Sequence, residues 1–582
     1  LLSASGGKAY EIDQSLMFNA ADTAYLNRTP SGAGNRRTFT LSAWVKMTTT
    51  GFGNGAIFCC STGTNDASTT YIAFYQGKMQ YQGYNTNYRV TNRVVRDVGA
   101  WYHFVWAVDT TIADGSADNR IRLYINGVEE TSFGTKNNPT QNYEFIINST
   151  NEHQLGDEGN QTGGISPWDG YMAEVNFIDG SQLTPSSFGE TDAVTGQWIP
   201  KKYGGAYGTN GFYLKFVSGA IGTDSSGQGN NYTANNLADS DVLLDTPTNN
   251  FPTLNSLMGN AASGITLTQG NLKAAQASLT SDTAKTYSTI GLISGKWYVE
   301  VACSAANVYS GNGVVNASQS SEGFDFSSST NNVSVFTWGD RVYKNGSQTQ
   351  TGLPSTASSS NILGIALDLD NGTVQFYSNG STAGSAETLT RNTGDIFVFC
   401  NAAESSGYAS TSAYEWNFGQ NGTHSGTKTA GGNTDGNGIG NFVNSVPSGF
   451  LAPCSSNLAT PAVKKSSAFF DNLLYTGDAS AKTVSGLGFR PDYLWIKNRS
   501  DGYHHANIDS TRGATKIISS SSNMVELAST EQVKTITSDG FTLGDNSDGN
   551  NYVNLSSDNY VAWCWRAGGA SPSKTYAVKV VS

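Results

Sequence analysis

Short apolar segments closed by Asn-Gly or Asp-Gly pairs recur along this 582-residue chain, at Asn126-Gly127, Asp179-Gly180, Asn345-Gly346, Asn371-Gly372, Asn379-Gly380 and Asp539-Gly540. Asn and Gly tolerate positive φ at both central positions of a tight turn, and that turn matches the twist of two antiparallel strands. The segments between the turns alternate as half-buried strands do, for example Leu41-Ser42-Ala43-Trp44-Val45-Lys46-Met47 and Arg120-Ile121-Arg122-Leu123-Tyr124-Ile125. Trp101 to Val108 is more densely apolar, as expected of a strand covered on both faces. Helical periodicity is scarce, and Ser521 to Gln532 is the best helical segment. The chain therefore reads as all-β, built from tandem antiparallel β-sandwiches.

Composition removes the competing classes. Charged residues make up 14% and aromatic residues 11%, with 66 Gly and only 13 Pro. Soluble domains average about 25% charged residues, and disordered chains are poor in aromatics. No heptad pattern supports a coiled coil, and no apolar run approaches the roughly 18 residues that span a bilayer as a helix. The 34 Lys and Arg against 46 Asp and Glu, a net charge of −12 with no basic block, argue against nucleic acid and against anionic lipid as partners. The six cysteines, Cys59, Cys60, Cys303, Cys400, Cys454 and Cys564, form no CxxC pair and read as buried free thiols.

Turn and linker signals divide the chain into a first sandwich at 1–245, a second at 250–420, a Gly/Asn/Thr-rich linker or loop at 421–440, a C-terminal β-rich domain at 441–570, and an exit segment at 571–582. The exit segment stops within an apolar, strand-like run and reads as cut from a longer chain.

Catalytic patterns are sparse. A retaining glycosidase needs two carboxylates about 5 Å apart, which a Glu-x-Asp-x-Glu strand supplies on one face. Glu11-Ile12-Asp13 and Glu190-Thr191-Asp192 begin that pattern, and both lack the second Glu. The five histidines, His103, His153, His424, His504 and His505, include no zinc-binding H-E-x-x-H. No G-x-S-x-G elbow and no phosphate loop is present. The expectation is that no residue is catalytic and that the chain is not an enzyme.

The first block carries Phe39-Thr40-Leu41-Ser42-Ala43-Trp44-Val45, Trp101-Tyr102-His103-Phe104-Val105-Trp106, Arg122-Leu123-Tyr124-Ile125-Asn126-Gly127 and Gly170-Tyr171-Met172-Ala173-Glu174-Val175. In that order these strands resemble the laminin-G-like, concanavalin A-like lectin/glucanase sandwich, a jelly roll. Gly295 to Val301 and the run from Leu363 to Gly380 resemble the opening strand and the central hairpin of a SPRY-type sandwich. Phe489 to Lys497, Asp509 to Ala514, Ser538 to Gly544 and Tyr560 to Trp565 resemble an uncharacterised domain at the ends of marine tailed-phage structural proteins.

The laminin-G resemblance implies one Ca2+ at the sandwich rim, held by carboxylates and backbone oxygens as a hard cation prefers. The acidic loops holding Asp109, Asp114, Asp118, Asp157 and Glu158 are the candidates. Carbohydrate binding needs aromatic rings for the apolar faces of sugars and amides or carboxylates for their hydroxyls. Tyr81, Tyr84, Asn85 and Tyr88 in one segment, Trp168 with Asp169, and Trp338 with Asp340 are the candidates. The combined resemblance implies a virion appendage of the tail-fibre or adhesin type. It would be exposed on the particle exterior, partnered by other virion proteins, assembled as a homo-oligomer with a trimer favoured, and directed at a host surface glycan or protein. A capsid or tail decoration that binds no receptor and a polysaccharide depolymerase stand as alternatives.

Overall fold

The computed structural model describes residues 10–49, 55–157, 167–258, 265–276, 283–305, 310–317, 334–338, 340–353, 361–404 and 412–567. Almost all regular structure is antiparallel β, as the turn spacing requires. The Asn-Gly pairs at 126–127, 345–346 and 379–380 adopt positive φ at both residues and close tight hairpins.

Two sheets face each other in the first domain. One runs in the order Val128–Glu129, Ile121–Ile125, Trp101–Asp109, Thr38–Met47, Gly170–Asp179, Ser15–Phe18 and Val242–Leu243. The other runs Phe133–Lys136, Asn87–Thr91, Lys78–Gly83, Thr69–Tyr75, Gly55–Ser61, His153–Leu155, Tyr25–Arg28 and Thr233–Asn235. Leu41, Ala43, Val45, Phe104, Trp106 and Phe177 point into the space between them and meet Phe58, Ile72, Phe74, Met79 and Tyr81. The residues alternating with these on the first sheet, Ser42, Trp44, Lys46, His103, Val105 and Ala107, face the opposite way.

The second domain is also a pair of sheets. Ile265–Thr268, Lys273–Gln276, Ser412–Asn417, Lys296–Ala305, Ile362–Asp368, Thr373–Ser378 and Ser381–Thr388 form one. Thr283–Tyr287, Phe397–Glu404, Ser310–Asn316, Ser334–Trp338, Arg341–Lys344 and Ser347–Gln350 form the other. Val299, Val301, Ile365, Phe376, Phe399 and Trp416 fill its core.

Residues 10–191 and 198–459 fall within one compact unit. The two sandwiches share buried contacts at the boundary that composition marked as a break. The Lys46 ammonium lies 2.7 Å from the Asp245 carboxylate with both side chains fully buried, and it also donates to Asn250 Oδ1 and the Phe251 carbonyl. Trp101 Nε1 donates to the other Asp245 oxygen at 3.0 Å. The segment 421–440 is part of a loop layer that continues to residue 457 and packs on the second domain. His424, Phe442, Ala452 and Cys454 are buried there. The buried Glu300 carboxylate accepts backbone hydrogen bonds from Val443 and Asn444, each at 2.8 Å.

The C-terminal unit, described over residues 460–567, has a four-stranded sheet, Phe470–Thr476, Asn559–Trp565, Tyr493–Asn498 and Ala506–Asp509, and a three-stranded one, Lys482–Ser485, Gly540–Leu543 and Val533–Ile536. Leu494, Ile496, Ile508, Phe541, Tyr560 and Ala562 are among its core residues. The helix expected at Ser521 to Gln532 does not form. Leu527–Ala528 pairs instead with Lys516–Ile517. The Ser519-Ser520-Ser521-Ser522 run before it bonds its hydroxyls to nearby backbone and side chains, which competes with helical hydrogen bonding. The six cysteines are buried, and none is paired in a disulfide. Burial pushes the Cys60 and Cys564 thiols up to about 12, so neither is a poised nucleophile.

Candidate functional site

The structure separates the sugar-binding candidates. Tyr81 and Tyr88 are core residues of the first sandwich, packed on each other and on Phe145. Tyr81 lies on the inward side of its strand, and Tyr88 packs against it from the neighbouring one. Trp168 is fully buried and packs on Phe74. These three are therefore corrected from ligand platforms to core, because two facing sheets need large inward side chains to fill the gap between them. Asp169 is mostly enclosed beside Trp168, and burial lifts its carboxyl to about 6. Asp340 is exposed, with its backbone carbonyl closing the loop to Leu353. The Trp338 side chain lies outside the described residues.

Tyr84 and Asn85 do reach solvent, with Tyr84 38% exposed. They occupy the tip of the hairpin between Lys78–Gly83 and Asn87–Thr91, which Gly83 closes onto the Thr86 carbonyl at 2.9 Å. Asp66, on the adjacent loop, fixes this tip. Its carboxylate accepts from the Asn85 and Thr86 amides at 2.6 and 3.1 Å and from the Thr86 hydroxyl at 2.6 Å. Tyr143 donates to the Asp66 carbonyl at 3.1 Å. An exposed tyrosine ring and a neighbouring amide are thus held on a preorganised turn, which lowers the entropy lost on binding. Asp66 lies outside the aromatic segment in sequence. Its place in an Asn-Asp-Ala-Ser turn was the only signal for it.

The described acidic candidates do not gather into a cation site. Asp109 accepts from Thr38 and Thr111. Asp114 pairs with Arg120 at 2.5 Å, and Asp118 pairs with Lys136 at 2.7 Å. Lys136 and Asn138 hold the Asp118 carboxyl below its usual range. Among the described residues no group of three or more His, Cys, Asp or Glu is placed to hold a metal ion. Asp157 contributes a backbone carbonyl to Cys59 Sγ, and Glu158 lies outside the described residues. Among the described candidates, Asp114 and Asp118 do not fit a calcium site, because their carboxylates are paired with cations of the chain itself.

The face of the first sheet turned away from its sandwich core holds the densest polar chemistry, and the chain covers it. Ser42 Oγ lies 2.8 Å from His103 Nε2, a spacing suited to a nucleophile and its base. The tautomer is the reverse of what that chemistry needs. Trp198 Nε1, which can only donate, sits 3.0 Å from His103 Nδ1. Nδ1 is therefore the acceptor, and Nε2 carries the proton and donates to Ser42. Burial holds His103 neutral down to about pH 3, sandwiched between Trp44 and Trp198.

Glu174 sits nearby at a bulge in Gly170–Asp179, with φ +51°. Tyr10 donates to one of its oxygens at 2.8 Å and Tyr213 to the other at 2.5 Å. Burial raises the Glu174 carboxyl above its ordinary range, and the tyrosine bonds oppose that rise. A second carboxylate, Asp13, lies close enough to add to that rise. Of the partial glycosidase patterns, Glu11 and Asp13 precede the first strand, and Glu190 is exposed on the short strand Gly189–Thr191.

With this geometry in place, comparison with known sequences gives three matches in tandem. Residues 20–187 match the family model for the concanavalin A-like lectin/glucanases superfamily, of the laminin G type. Residues 296–421 match the SPRY domain. Residues 465–580 match a domain of unknown function (DUF7483). No curated protein matches the chain. Similar solved structures include the SPRY domain of human HERC1, 14% identical, covering 28% of this chain and 96% of that one at TM-score 0.23. A stonustoxin structure is 21% identical over 28% of this chain and 27% of its own, at TM-score 0.22. The TRIM65 PSpry domain is 14% identical over 28% and 91%, also at TM-score 0.22. The chain thus carries a lectin-type and a SPRY-type β-sandwich, an architecture that fits a binding, adhesin-like protein.

Proposed function

We propose that this chain is a non-enzymatic virion appendage protein of the tail-fibre or adhesin type, presenting loops of its β-sandwiches to a host surface glycan. It would sit on the particle exterior among other virion proteins as a homo-oligomer. In such an assembly each weak site is multiplied by avidity. The observation that carries the reading is the Tyr84–Asn85 turn, an exposed ring and amide on a lectin-type sandwich whose turn backbone Asp66 fixes. The chain's own coverage of the face beside Glu174 and His103 supports recognition over turnover, since a polymer would have to displace Trp198 and Tyr10 to reach either group.

The full chain, assembled as purified, is added to host cells before phage and tested on a glycan array. Wild type should reduce adsorption and bind at least one host glycan. Tyr84→Ala should weaken that glycan binding about tenfold, a loss of about 1.4 kcal/mol, with melting unchanged. Failure of wild type in both assays rejects the adhesin reading.

A further inference from the structure

The C-terminal unit carries a second set of aromatic rings on the outer, partly exposed face of its four-stranded sheet. Alternation along its four-stranded sheet sends Leu494, Ile496, Tyr560, Ala562 and Cys564 into the core. The residues between them go to the other face. Strand register then sets these into cross-strand rows. Phe470, Trp565 and Tyr493 align in one row, and Asn472, Trp563 and Trp495 in the next. Ring centroids are 4.9 Å apart for Phe470–Trp565, 5.3 Å for Tyr493–Trp565 and 5.5 Å for Trp495–Trp563. These spacings follow the strand separation of about 4.8 Å. Phe470 is 40% exposed, and Tyr493, Trp495, Trp563 and Trp565 are each half-buried.

The polar atoms of the platform are held at its edge, which leaves ring surface free. Trp495 Nε1 donates to His505 Nδ1 at 2.9 Å. The Tyr493 hydroxyl donates to Asn507 Oδ1, and Asn507 Nδ2 donates to Ser520 Oγ at 3.1 Å. Two bordering charges, those of Lys497 and Asp509, are engaged within the unit. Lys497 Nζ donates to the carbonyls of Asn498, Asp501 and Tyr503. The Asp509 carboxylate is taken by Arg512 Nε at 2.6 Å and by the Thr511 and Arg512 amides. Burial, with Lys497 and His504 beside it, lowers the His505 imidazole below its ordinary range.

A double row of rings tilted 45° to 63° to one another, bordered by Asn472, His505 and serine hydroxyls and flanked by the engaged charges of Lys497 and Asp509, is complementary to a ligand that is itself uncharged. Its ligand must be apolar on its faces and hydroxylated at its edges. We infer that this face is a binding platform for a neutral polysaccharide, with sugar rings stacked on Trp563, Trp495 and Trp565. The site is separate from the Tyr84 turn and does not depend on the virion reading.

Native affinity electrophoresis of the full chain tests it, in gels containing laminarin, hydroxyethyl cellulose or, as the charged control, alginate. At least one neutral polymer should retard the chain, and alginate should not. Trp563→Ala should weaken retardation about tenfold, and Asn472→Ala, a strand position at the edge of the platform, should weaken it by a smaller factor. Tyr84→Ala in the same gels separates the two sites. Loss with Tyr84→Ala alone, with both platform variants like wild type, assigns binding to the first domain and overturns the platform. No retardation by either neutral polymer overturns it, as does salt-sensitive retardation by alginate. A Trp563→Ala chain that falls from oligomer to monomer in sedimentation makes the face an interface between copies and also overturns it. Binding seen only after removal of residues 568–582 assigns the face to the chain's own tail and overturns the platform as well.

Discussion

The first sheet of the lectin-type domain and the four-stranded sheet of the C-terminal unit both carry aromatic rings on the face turned away from their own core, and they treat those rings oppositely. In the lectin-type sheet, Trp44 and His103 are stacked beneath Trp198, and Tyr213 closes over Glu174 with Tyr10. Lys46, on the same face, is sealed beneath residues 245–251. Every one of those covering groups comes from the same chain, and their donors are used up in covering it. In the C-terminal sheet the donors of Trp495 and Tyr493 point to the border, and the rings, tilted against one another, stay partly exposed. Period-two alternation puts rings on an outer face in both. What decides their use is whether a later segment of the chain brings hydrogen-bond partners back over them.

Three measurements sharpen this contrast. The largest effect is expected at Lys46. Lys46→Met leaves the Asp245 carboxylate buried without its cation, and urea unfolding of the unit that contains both should show a loss of about 3–5 kcal/mol. If Lys46→Met unfolds at the wild-type midpoint, that face is not sealed by this pair. Next comes a matched pair of tryptophans. Trp44→Ala removes a covered ring and should cost about 3–5 kcal/mol, whereas Trp563→Ala removes a half-exposed one and should cost about 1–2 kcal/mol. Equal losses in denaturant titrations of the two variants would erase the distinction between a covered and an open face.

The smallest effect is a pH dependence. His103 binds a proton near pH 6.5 when unfolded and only near pH 3 when folded. The stability tied to its neutral form is complete above pH 6.5 and is lost as pH falls toward 3. The unfolded state alone takes up the proton in that window. Against His103→Gln, the wild-type advantage should therefore shrink by about 1.4 kcal/mol per pH unit between pH 6 and 4. A constant difference across urea melts at pH 7, 6, 5 and 4 would place His103 in contact with water.

Much of the fold is legible in the residues themselves. Leu41 to Met47, Trp101 to Val108 and Leu363 to Ser378 announce their strands by local alternation and their hairpins by Asn-Gly. Local pattern fails where a residue's fate depends on a distant one. Tyr81, Tyr84 and Tyr88 share one short segment, yet two fill the core and one reaches solvent, because the turn reverses the strand between them. Lys46 and Asp245 are 199 residues apart, and a boundary rich in Asn, Thr and Pro gives no hint that it encloses a buried ion pair. The loop 421–440 reads as linker because it is poor in apolar residues, but the His424 ring bonds the Glu415 carbonyl, the Thr427 hydroxyl donates to the Glu415 carboxylate and the Ile439 amide donates to Asp435.

The sequence by itself determined the β class, the order of the sandwiches, most hairpins and the buried thiols, since each follows from turn chemistry and side-chain alternation within a few residues. Only the tertiary structure decided which aromatic faces are closed and which are open. It also decided that the Asp114 and Asp118 carboxylates are spent on cations of the chain, and that rings on strands as far apart as Phe470 and Trp565 form one platform. Those outcomes depend on register between distant strands and on which segment returns to satisfy buried donors, and neither is written in any local stretch of residues.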